Sequence, residues 1–142
     1  MPRRLAAITL GLSLLWIASR ADALPPRPDA PRSASCDIAG EWLGTATDDG
    51  GTRWTFPMQL RQSGSVVDVS IQWRGSNGHS GDETARGTID CATRALELHT
   101  VTVTGDLAAG AYHATIAPDL RSLGGRWDGP GVIPGRFTAT RR

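Results

Sequence analysis

The chain has no lysine: all fifteen basic side chains are arginine, so Schiff-base chemistry on a lysine is closed to it. It also lacks any block of like charge. Beyond residue 23, twelve Arg stand against thirteen Asp and Glu. That balance supplies neither the basic field that draws in nucleic acid nor a charged face for a membrane surface. No Gly-x-Ser-x-Gly occurs, and no serine lies in a recognisable elbow. Nucleophilic catalysis has no carrier, so the chain is expected not to be an enzyme and to use no cofactor and no metal. No apolar run reaches the ~20 residues that a helical bilayer crossing needs. After residue 36 there is no convincing helical period either.

What is present begins with an export signature. "MPRR" precedes the short apolar run "LAAITLGLSLLWIA", and "ADA" at 21 to 23 supplies small residues for cleavage. Residues 1–23 therefore read as a secretory signal peptide, and the protein is expected to be periplasmic or extracellular. "LPPRPDAPRSAS", residues 24–35, holds four prolines in twelve positions. That density excludes a helix or a central strand and predicts a flexible, extended leader. The folded domain is then residues 36–142, enough for one modest core. Two cysteines in an exported chain usually pair. A Cys36–Cys91 disulfide would close a loop of about 55 residues, worth about 4 kcal/mol on the chain-entropy estimate; two free thiols are the alternative.

From residue 36 the sequence alternates with period two and breaks at Gly, Asp, Asn and Pro. "TRWTFPMQL" puts Trp54, Phe56, Met58 and Leu60 on one face, and "VVDVSIQW" does the same with Val67, Val69, Ile71 and Trp73. "DIAGEWLGTAT", "ETARGTIDC", "ALELHTVTVT", "AYHATI", "GGRW" and "GRFTATR" bring the count to eight strands. A two-residue turn at Ser63–Gly64 would pair Leu60 with Val67, Met58 with Val69, Phe56 with Ile71 and Trp54 with Trp73. A turn at Thr93–Arg94 would pair Cys91 with Leu96 and Ile89 with Leu98. Eight short antiparallel strands in sequence close most simply into an up-and-down barrel, which removes exposed edges; the runner-up is a two-sheet sandwich. Alternate loops ("DDGG", "RGSNGHSGD", "GDLAAG", "DGPGVIPG") fall at one end and include the longest, as at the open mouth of a cup. Both cysteines fall at the other end, where a disulfide would tie the entering segment across the floor.

"GEW", residues 40–42, opens the first strand. A Gly-x-Trp at that point of an eight-strand meander resembles the calycin group, the lipocalins, avidins and similarly shaped small barrels. The resemblance implies that Trp42 packs at the closed end beneath a basic residue of the last strand, Arg141 or Arg142, in a cation–π contact of about 1 kcal/mol. It implies that Gly40 allows a strand bend or a close approach. The chain lacks a Thr-Asp-Tyr type turn and a biotin-site pattern, so the resemblance implies a fold and not a ligand. Secreted bacterial protease inhibitors of similar shape share this length.

Strand parity brings Trp54, Trp73, Tyr112 and Trp127 inward near the mouth. Such a ring of aromatics either stacks on a small apolar or sugar-like ligand or plugs a narrow barrel. The third loop carries His79, Asp82 and Glu83, which would bind a metal or do acid–base work only if a fixed geometry gathered them; otherwise they are solvated loop residues. His99 and His113 are expected to face each other across the "GDLAAG" hairpin on the outer surface. If Leu96 and Leu98 point inward, Val101 and Val103 point outward, unless a bulge switches the face. The expectation is a non-catalytic binding protein for a small apolar or sugar-like ligand. The alternative is a protein-interaction module, such as an inhibitor of a secreted hydrolase.

Overall fold

The computed structural model describes residues 35–142; the expected signal peptide, and all of the expected leader except Ser35, lie outside the described residues. Eight strands follow one another: β1 (Gly40–Asp48), β2 (Arg53–Ser63), β3 (Val66–Gly75), β4 (Ser80–Asp90), β5 (Ala95–Val103), β6 (Ala111–Ile116), β7 (Ser122–Asp128) and β8 (Gly135–Arg141). Each pairs antiparallel with the next, and β1 pairs with β8. The sheet is therefore a closed barrel and not a two-sheet sandwich. Closure satisfies both edges of the sheet at once.

The period-two pattern decides which side chains fill the interior. Along β1, Trp42, Gly44, Ala46 and Asp48 are buried and the residues between them exposed. β3 buries Val67, Val69, Ile71 and Trp73. Two glycines make room for rings: a Cβ on Gly44 would lie 2.1 Å from Phe56, and one on Gly135 would lie 2.3 Å from Trp127. Small residues opposite large ones let side chains interdigitate at the density of a protein interior.

Two expected registers are displaced by two residues. Leu60 pairs with Val69 and Met58 with Ile71, because Gly64 at φ 60 turns the β2–β3 hairpin together with Ser65. Trp54 consequently stands opposite Gly75 and is a diagonal neighbour of Trp73. In the β4–β5 hairpin Ile89 pairs with Leu96, and Cys91 lies in the turn instead of the ladder. Asp90 ends β4 there by accepting the N–H groups of Ala92 at 2.8 Å and Thr93 at 3.3 Å. A slip of two preserves parity, so every side chain keeps its face. In β5 the ladder shifts at Val101: Thr84 pairs with Thr102 and Ala85 with Thr100. This bulge leaves Val101 63% exposed, and Val103 pairs with the buried Glu83. His99 and His113 do not face each other. His113 pairs with Glu97 and bonds its carboxylate through Nδ1, while His99 stands opposite Ala111.

The closed end is stoppered by residues 35–39. Cys36 and Cys91 form a disulfide with Cα atoms 5.5 Å apart. Ile38 is fully buried; its N–H donates to Gln62 at 3.0 Å, and Gln62 donates back to the Cys36 carbonyl at 2.8 Å. Trp42, 1% exposed, donates its indole N–H to the Ile38 carbonyl at 3.0 Å. Arg141 is the register partner of Trp42, but its guanidinium bonds the carbonyls of Asp37, at 3.0 Å, and of Ala39. What holds the stopper is thus a set of hydrogen bonds to backbone, where a cation–π contact was expected. Gly40, at φ 133, is the bend by which the stopper enters β1.

Candidate functional site

Trp54, Trp73, Tyr112 and Trp127 come together at the open end, where they line one cavity of about 240 Å³. They stand at the mouth ends of β2, β3, β6 and β7. Trp54 and Trp73 meet edge to face at 6.0 Å, Trp73 and Tyr112 lie nearly parallel at 6.4 Å, and Trp73 and Trp127 are tilted at 5.9 Å. Phe56 and Phe137 extend the cluster downward: Phe56 contacts Trp73 at 4.3 Å, and Phe137 reaches Tyr112 and Trp127. Beneath these rings the interior narrows to about 20 Å³ of apolar space, enough for at most one water. The barrel is therefore packed below and open above: the rings cap a filled interior, as a plug would, and at the same time line a cavity at the mouth.

Each indole N–H in the mouth has a protein partner. Trp54 donates to Asp48 Oδ2 at 3.0 Å, Trp73 to Glu83 Oε2 at 2.9 Å, and Trp127 to the Ile133 carbonyl at 3.0 Å. The Tyr112 hydroxyl donates to Glu83 Oε2 at 2.6 Å. These bonds fix ring orientation. They commit the polar edges of the rings to the protein, and of the four only Trp54 is not buried.

Glu83 is the hub. It is only 3% exposed and takes a third hydrogen bond, from Thr100 Oγ1 to its Oε1. Thr100 in turn accepts the Gly110 N–H at 2.9 Å, which ties the loop between β5 and β6 to the same carboxylate. The Val101 bulge lies immediately beyond Thr100 and turns Val103 to the inner side. Burial, followed by the negative Glu83 and its hydrogen bond, raises the Tyr112 phenol far above its ordinary value. Asp48 is 7% exposed. Burial pushes its carboxyl up, but hydrogen bonds from Trp54, Thr52 and Gly50 together outweigh that and hold it below 3.8.

The His79, Asp82 and Glu83 group does not assemble. β4 begins at Ser80, so Asp82 and Glu83 are strand residues on opposite faces, Asp82 exposed and Glu83 buried. His79 lines the rim of the cavity. Among the described residues, no three His, Cys, Asp or Glu side chains gather in a way that would hold a metal. Sequence reasoning missed Asp48 and the inward role of Glu83, although the signal was present. The parity that buries Trp42 also buries Asp48, and the parity that buries Ile89 and Ala85 also buries Glu83.

No family model matches the chain, and no curated protein matches it. Among solved structures it is similar to a redesigned beta barrel, mFAP0, bound to DFHBI, with a TM-score of 0.56, 19% identity, and 73% of this chain and 98% of that chain covered. It is also similar to a de novo designed fluorescence-activating beta barrel, with a TM-score of 0.56, 8% identity and 73% and 93% covered. A third, the redesigned barrel mFAP1 bound to DFHBI, has a TM-score of 0.53, 16% identity and 74% and 94% covered. At such identities the likeness establishes the barrel fold.

Proposed function

We propose that the chain is an exported, non-catalytic, calycin-like barrel that binds a small ligand in its mouth against Trp54, Trp73, Tyr112 and Trp127. One observation carries this reading: four aromatic rings, each with its polar atom already bonded, surround an open cavity of about 240 Å³ above a packed floor. That volume is just below the ~300–1,000 Å³ of pockets for drug-sized ligands, so the ligand is the size of a single ring system or a monosaccharide. Aromatic rings lining a cavity suit an apolar or sugar-like surface. The solved barrels bound to DFHBI are a precedent for a ligand in this fold. A Cys36–Cys91 disulfide accords with an oxidising compartment, periplasmic or extracellular.

The test is a fluorescence titration of the purified protein against a panel of small aromatic compounds and monosaccharides. A binder should quench or shift the tryptophan emission. Trp54 is the least buried of the four rings, so Trp54→Ala should weaken that binding at least tenfold while lowering the melting temperature little. Equal binding by wild type and Trp54→Ala would remove the mouth as the site. A second reading, a protein-interaction module such as a hydrolase inhibitor, draws support from Ile133, an apolar side chain that stands 56% exposed on the rim. Under it the emission responds only to a protein partner.

A further inference from the structure

The mouth has an electrostatic character that its aromatic lining does not require. Among the described residues, only two polar or charged side chains are buried, Asp48 and Glu83, and both line this cavity. Asp106 joins them on its wall. No arginine lines it, although Arg53, Arg74 and Arg136 lie on neighbouring strand ends, where all three project to the outer surface. Neither buried acid has an ion-pair partner: the salt bridges of the described residues are Arg86–Asp68 and His113–Glu97, both on the exposed outer face. Buried charges are ordinarily paired, because desolvation is costly. Here the acids are held by neutral donors alone: Glu83 by Trp73, Tyr112 and Thr100, Asp48 by Trp54 and the Thr52 N–H. These donors hold negative charge in place without cancelling it. The same indoles line the cavity, and an indole ring attracts a cation rather than an anion to its face.

We propose that the mouth selects an organic cation, a small molecule carrying an ammonium or guanidinium group on an apolar or sugar-like body. The inference rests on the small-ligand reading above and adds the sign of the ligand's charge. The cation completes what the fold leaves open: it supplies the missing counter-charge to Glu83 and Asp48 while its body lies on Trp54, Trp73 and Trp127. An anionic ligand would face three carboxyl groups with only His79 to oppose them, so the site discriminates by repulsion as well as attraction.

The experiment compares three probes of nearly equal shape, 2-phenylethylammonium, 2-phenylethanol and 3-phenylpropionate, by calorimetric or ligand-observed NMR titration of the full folded domain near neutral pH. The expected order of affinity is ammonium, then alcohol, then carboxylate, with at least tenfold between the first two, which corresponds to about 1.4 kcal/mol. Glu83→Gln and Asp48→Asn should each narrow the ammonium-to-alcohol ratio several-fold; the second variant serves if the first melts too low to titrate. Alcohol or carboxylate binding as tightly as the ammonium would overturn the charge inference and leave the small-ligand reading standing. A preference for the ammonium unchanged in both variants would also overturn it. If none of the three binds at millimolar concentration, the charge inference falls, and the small-ligand reading falls with it only if the monosaccharides of the fluorescence panel also fail to bind.

Discussion

The floor and the mouth of this barrel are built from the same two-residue repeat and are stabilised in opposite ways. At the floor, Trp42, Leu60, Val67 and Ile116 are nearly or completely buried, and the polar atoms nearby bond backbone: Trp42 to Ile38, Gln62 to Cys36, Arg141 to Asp37. Those bonds fix the entering chain, and a disulfide locks it. At the mouth the inward positions include two acids, and Trp54, Trp73 and Tyr112 bond side-chain carboxylates instead. The floor is therefore filled, while the mouth keeps a cavity whose negative charge no cation of the described chain neutralises. A packed apolar end contributes mainly stability. An open end with oriented rings and uncompensated charge is free to do something else.

That contrast is sharpest where a single side chain is removed. Trp42→Ala should cost about 3–5 kcal/mol, the range for deleting a fully buried aromatic, measured by denaturant unfolding. The same truncation at half-buried Trp54 should cost clearly less. Comparable losses at the two positions would erase the distinction between floor and mouth. Next in size is Glu83→Gln. The amide nearly preserves shape, but its NH₂ cannot accept: in place of Oε2 it deprives both the Trp73 indole and the Tyr112 hydroxyl, and in place of Oε1 it deprives Thr100, which keeps only the Gly110 carbonyl at 3.1 Å. A loss of about 1–3 kcal/mol follows from a buried donor left unpaired. An unchanged midpoint would mean that Glu83 is not the hub of the mouth.

The smallest effect concerns pH. The chain has one tyrosine, so its ionisation can be followed without overlap. The folded Tyr112 phenol is raised above 10.0 by burial first and by Glu83 second. A raised folded value means that the stability this group contributes is complete below pH 10.0 and is lost as pH climbs above it, because only the unfolded chain then releases the proton. Roughly one pH unit above that value the loss is about 1.4 kcal/mol. Tyrosinate absorbance should appear only together with unfolding. Ionisation near 10 in the still-folded protein would show that the phenol is open to water, and the mouth correspondingly less enclosed.

Much of this molecule was legible in the sequence. Alternation in "TRWTFPMQL" and "VVDVSIQW" specified strands and assigned each side chain to a face, because successive Cβ atoms of a strand point to opposite sides whatever the partner. The same property placed Trp54, Trp73, Tyr112 and Trp127 inside, and the number and order of strands made a closed meander the economical solution. What alternation could not fix was register. Moving the β2–β3 turn from Ser63–Gly64 to Gly64–Ser65 changes every pair by two and leaves every face unchanged, so the apolar pattern is silent about it. Only turn geometry, with Gly64 at positive φ, decided.

The acids show the boundary most clearly. Their parity was readable, since Asp48 follows Trp42, Gly44 and Ala46, and Glu83 precedes Ala85. Their surroundings were not. Glu83 meets Trp73, Tyr112 and Thr100 across separations of 10, 29 and 17 residues, and Thr100 belongs to the inner set of β5 only up to the bulge at Val101. The sequence by itself determined which residues face inward, because that is a local consequence of chain stereochemistry. Tertiary structure alone decided which of them meet, how deep the packing reaches and where charge is left without a partner, because these depend on how eight strands close on one another.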